Sequence, residues 1–131
     1  MDLRPTIAIC ADYGFGAYAW LRTWQGPGGN VADSCAWGFD SHPITLGLQA
    51  KLGAWAIAFE CVPPPWNGEN ANRAYDWADF NRRGVALAHR LKRELGSGVR
   101  VVYEAPQEDP NHASWGTIEF CNDGSVVRSK R

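Results

Sequence analysis

No apolar run in this chain is long enough to span a bilayer, and neither sign of charge predominates: 13 basic residues stand against 14 acidic ones, a formal charge of -1. The first absence argues against a membrane-spanning protein. The second removes any global pull toward nucleic acid or an anionic lipid surface, so an electrostatic preference has to be local. Residues 1–5 lead into only a short apolar stretch at 7–11, too little for a signal peptide. Cys10, Cys35, Cys61 and Cys121 are far apart and form no CxxC pair, which favours reduced thiols and a cytoplasmic location. Together with His42 and His112 they show no metal-ligand spacing, so neither a metal nor a cofactor is expected.

Catalytic signatures are missing as well. There is no GxSxG elbow and no GxxxxGK[ST] loop, and Asp12-Tyr-Gly-Phe-Gly16 lacks the third glycine of a dinucleotide turn. A nucleophilic cysteine could be drawn from Cys35 with His42 or His112 as base, but the surrounding residues match no protease signature. Glu104 with Glu119, and Glu108 with Asp109, are carboxylate pairs that could do acid and base work if a cleft held them. No catalytic residue is assigned, and exposed solubilising charge is the simpler reading of these acids.

What is present is the grammar of one domain over residues 1–131, with 45% hydrophobic residues and no internal repeat. Thr6-Ile-Ala-Ile-Cys10 reads as a strand. In residues 17–24 the spacing of Tyr18, Trp20, Leu21 and Trp24 leaves strand and helix both open, and residues 25–43 read as a long structureless run. Thr45 can cap a helix over 46–60 whose main face is Leu48, Leu52, Trp55 and Phe59. Its opposite side is unusual, because Leu46, Gly53 and Ile57 lie there: the helix is either covered on two sides or exposes an apolar strip. The prolines at 63–65 end it.

A second helix begins at the cap Asp76, repeats Phe80, Leu87, Ala88, Leu91 and Leu95 on one side, and stops at Gly96. Val99-Arg-Val-Val-Tyr103 then reads as a strand, residues 105–114 as a second long loop, and 117–128 as a hairpin turning at Asn122-Asp-Gly124. The expected fold is therefore α+β, with two main helices packed on one face of a small, largely antiparallel sheet and a C-terminal β-hairpin.

Three features point toward a binding surface. Trp24, Trp37, Trp66 and Trp115 sit in or beside loops, and tryptophan is enriched at interface hot spots. Arg82, Arg83, Arg90 and Arg93 share one face of the second helix, which suits phosphate or an acidic partner. Glu108 and Asp109 add an acidic loop that could meet a basic one.

The helix carrying Leu52-x-x-Trp55-x-x-x-Phe59, followed by a linker, Gly84-Val-Ala-Leu-Ala-His-Arg-Leu-Lys-Arg-Glu-Leu-Gly96 and the strand 99–103, resembles small uncharacterised bacterial proteins, some of them immunity-protein-like. The likeness covers roughly residues 46–104 and carries over no functional residue. It implies a protein that neutralises a cognate toxin by occlusion. The expectation is thus a macromolecule-binding protein without catalysis, with Trp24, Trp37, Trp66, Arg82, Arg83, Arg90, Glu108 and Asp109 at the contact. A protein is the expected partner, and the first helix could also support self-association. One alternative is a small enzyme with its site between the 25–43 and 105–114 loops, using Cys35, His42, Glu108, Asp109 and His112. Another is nucleic-acid binding through the arginine face.

Overall fold

The computed structural model describes residues 4–11, 19–23, 32–36, 44–61, 75–106 and 108–129, with 21–23 and 32–36 described as backbone alone. In chain order the elements are β1 (Thr6–Ile9), β2 (Ala19–Thr23), β3 (Ala32–Ala36), α1 (Leu46–Glu60), α2 (Trp77–Leu95), β4 (Arg100–Glu104), α3 (His112–Trp115), β5 (Thr117–Phe120) and β6 (Val126–Ser129). The strands form one sheet in the order β3-β2-β1-β4-β5-β6. Only β1 and β4 run parallel, Ile7 opposite Val101 and Ile9 opposite Tyr103; the other pairings are antiparallel.

The central position of β1 and β4 follows from their composition. Ile7, Ala8 and Ile9 are all buried, as are Val101, Val102 and Tyr103, so both strands are covered on both faces. Near-continuous apolar runs suit that environment. β5 alternates instead, burying Ile118 and Phe120, while all four residues of the edge strand β6 are exposed. Asn122-Asp-Gly124 makes the expected turn between them, with Gly124 at φ 90.

Both helices start where their caps predict. The Thr45 hydroxyl accepts from the Leu48 N–H, and the Asp76 carboxylate accepts from the Asp79 N–H. Leu48, Leu52, Trp55 and Phe59 of α1 are buried with Phe80, Ala88 and Leu91 of α2, in one core with the helix-facing strand residues Ile7, Ile9, Val101, Tyr103, Ile118 and Phe120. α2 can approach closely because Gly84 has no side chain. A Cβ there would lie 2.5 Å from the Tyr103 ring and 2.6 Å from Trp55. Trp55 stacks on Phe80 at 4.7 Å, and its indole N–H donates to the Phe80 carbonyl at 3.0 Å. Lys92, also buried, donates from Nζ to the carbonyls of Gly96 and Val99 at 3.0 and 2.5 Å, satisfying acceptors where the helix stops.

The fold is α+β as expected, with differences in detail. The segment left open at 17–24 contains β2, and the run at 25–43 contains β3, so it is not structureless throughout. The 105–114 loop ends in the one-turn α3, and the strand expected at Val99 begins at Arg100.

Candidate functional site

α1 shows no bias of hydrophobicity toward one side, and Gln49, Lys51 and Glu60 are its only polar side chains. A surface helix ordinarily turns polar residues to water. Here the exposed positions are Leu46, Gly47, Ala50, Lys51, Ala54 and Ile57, joined by Cys61 just past the helix end. Lys51 is the one polar side chain among them. Leu46 and Ile57 are 81% and 57% exposed, in a row with small residues between them that leaves the backbone approachable.

Beside this strip α1 and α2 bound a cleft of about 380 Å³ lined by Lys51, Ala54, Trp55, Arg83, Ala86 and Leu87. Its walls are apolar, and a cation stands on each helix. Arg82 meets Asp79 at 2.6 Å and Arg83 meets the same carboxylate at 3.1 Å, so two guanidiniums share one acid. Burial raises the Tyr75 hydroxyl pKa above the usual value, against the lowering effect of the neighbouring Arg83 charge. Arg90 pairs with Glu94 at 3.5 Å, and Glu94 accepts the Thr45 N–H at 2.8 Å and the Thr45 hydroxyl at 2.9 Å, tying the start of α1 to the end of α2. Exposed pairs of this kind contribute about 0–1 kcal/mol each and leave the local field in place. α1 and α2 together carry six basic and three acidic side chains. The helix layer is therefore positive in a chain whose overall charge is -1.

No family model, curated protein or solved structure matches this chain.

Of the residues anticipated at a contact, Arg82 and Arg83 are exposed on α2 and Arg90 is half-buried. Trp24, Trp37 and Trp66 lie outside the described residues. Glu108 is half-buried, and Asp109 is fully buried, not a surface acid. Asp109 accepts from the Asn81 side-chain amide at 2.9 Å and from the Asn111 N–H at 2.8 Å, while the Tyr103 hydroxyl donates to Asn81 Oδ1 at 2.5 Å. This buried chain of polar groups fastens the 105–111 loop to α2 and is satisfied internally.

Cys35 is described only as β3 backbone, and His42 lies outside the described residues. His112 Nδ1 sits 3.0 Å from the Asp109 carbonyl. Glu119 binds Arg100 through both oxygens at 2.8 Å and is not opposite Glu104 in the sheet, where Thr117 stands instead. Among the described residues no three His, Cys, Asp or Glu side chains are placed to hold a metal, and no helix is long and apolar enough to cross a membrane.

A second cavity of about 480 Å³ lies between the end of α2 and the β5–β6 turn, lined in part by His89, Lys92, Arg93 and Asp123. Lys92 is committed to carbonyls there, and the negative end of the helix dipole opposes an anion. The α1 strip was visible in the sequence as an apolar back to an already apolar helix. The cleft was not, because it arises only where Ala86 and Leu87 of α2 come beside Ala54 and Trp55 of α1.

Proposed function

We propose that this protein works by binding another protein through its helix layer, as an immunity-type inhibitor that covers a functional surface of its partner. The observation that carries the reading is the outer side of α1, where Leu46, Ala50, Ala54 and Ile57 face solvent with Lys51 the one charged side chain among the exposed positions. Contiguous exposed apolar area on a helix is costly to solubility and is characteristic of interaction sites. The mechanism is steric and electrostatic: apolar contact along α1 supplies burial, and the charged flanks Lys51, Arg82 and Arg83 set orientation and encounter rate.

Affinity capture at native-level expression tests this. A protein recovered in stoichiometric amount is the expected result, and repeated recovery of none contradicts the reading. Size exclusion of the same purified sample distinguishes self-association: the proposal expects the chain alone to elute as a monomer, and a stable dimer that hides α1 would count against a heterologous partner.

A further inference from the structure

Resting on that reading, we infer that the cleft between α1 and α2 receives an acidic, apolar-anchored segment of the partner: one aliphatic or aromatic side chain against Trp55 and Leu87, with neighbouring carboxylates reaching Lys51 and Arg83. The walls Ala54, Trp55, Ala86 and Leu87 offer apolar contact, and about 380 Å³ is the space of a recess for anchoring side chains, not of a large-ligand site. Seating an apolar anchor in a groove between helices is a recurrent mode of segment recognition.

Charge decides what flanks the anchor. Asp79 is shared between Arg82 and Arg83, and Lys51 on the facing helix has no carboxylate partner among the described residues. The cleft lining thus carries two cations, Lys51 and Arg83, and no carboxylate; the one acid paired with Arg83, Asp79, is shared with Arg82. A guanidinium already holding one carboxylate through Nε retains further N–H donors for a second. A basic segment would meet this lining with like charge. A second copy of the chain would bring its own Lys51 on its apolar strip, which argues against self-docking here. Nucleic acid is disfavoured because Trp55 is stacked on Phe80 and nearly buried, leaving no open ring face in the cleft for a base.

The test uses the isotopically labelled full chain and a set of short synthetic peptides with constant Leu-x-x-Leu spacing and net charge running from acidic to basic. Acidic peptides should shift the amides of Lys51, Ala54, Ala86 and Leu87. The double variant Lys51→Glu with Arg83→Glu changes exposed side chains only, and an unaltered thermal melt confirms its fold. It should weaken acidic peptides at least about tenfold and favour basic ones. The inference is overturned if neutral or basic peptides bind the wild type as well as acidic ones, or if none moves these amides at about 1 mM. It is equally overturned if a single-stranded oligonucleotide, or rising protein concentration, moves them and the acidic peptides do not. Should the peptides fail while capture still yields a stoichiometric partner, only the cleft inference falls. Should capture fail while acidic peptides bind, the inhibitor reading falls instead.

Discussion

Two glycines inside helices face opposite surroundings, and the difference gives opposite predictions for the same substitution. Gly84 lies under the Tyr103 ring and the Trp55 edge, where an added Cβ would meet atoms at 2.5 and 2.6 Å. Rings packed into a core cannot retreat cheaply, so Gly84→Ala should destabilise by about 1–3 kcal/mol. Gly53 has nothing within 4 Å of the corresponding position on the open side of α1. There the backbone entropy of glycine dominates, and Gly53→Ala should stabilise by about 0.5–1 kcal/mol. Urea unfolding of both variants checks the pair; two changes of the same sign would refute this account of how α2 packs. Asp109 shows the limit of local reading at this scale. In Gln107-Glu-Asp109 it looks like one more loop acid, yet it is buried against Asn81, a partner 28 positions away that no local pattern announces.

At the scale of elements, the junction between the start of α1 and the end of α2 makes stability depend on acid. Hydrogen bonds from the Thr45 backbone, then the Thr45 hydroxyl and Arg90, hold the Glu94 carboxyl below the usual carboxylate range despite the opposing effect of burial. A carboxyl with a depressed folded pKa contributes stability that is fully present above its unfolded value, about 4.3, and is lost as pH falls through the folded one. Glu94→Gln should therefore melt lower than wild type at neutral pH and converge with it as pH falls below about 4. A constant difference in Tm across that range would contradict the role given to this carboxylate. The helices themselves were legible because periodicity, cap and stop agree: Thr45 and Asp76 begin them, and Gly96 at φ 76 ends the second. β3 was not legible, because Ala-Asp-Ser-Cys-Ala carries no β-branched residue and exists through its pairing with β2. The parallel pairing of Thr6 with Arg100 is a long-range product of the assembled sheet and is equally invisible to a local window.

For the whole molecule, the sheet and its two helices account for nearly every large apolar side chain described, and what remains exposed falls in two places. One is the α1 strip with Leu46 and Ile57; the other is the edge strand β6 with Val126 and Val127, 47% and 52% exposed. The edge is short, and an edge strand could recruit a partner through its backbone. The α1 strip differs in adjoining a shaped cleft with charged margins, and the central claim is that partners bind there. The sequence revealed the strip but could not rank it above the loop tryptophans, since exposure and cleft are properties of the packed helices. The direct measurement is affinity capture run in parallel with wild type, Ile57→Asp and Val127→Asp, each verified by its melt to be folded. The account predicts that Ile57→Asp loses the captured protein while Val127→Asp retains it. Retention by Ile57→Asp together with loss by Val127→Asp would move the binding surface to the sheet edge and contradict the claim.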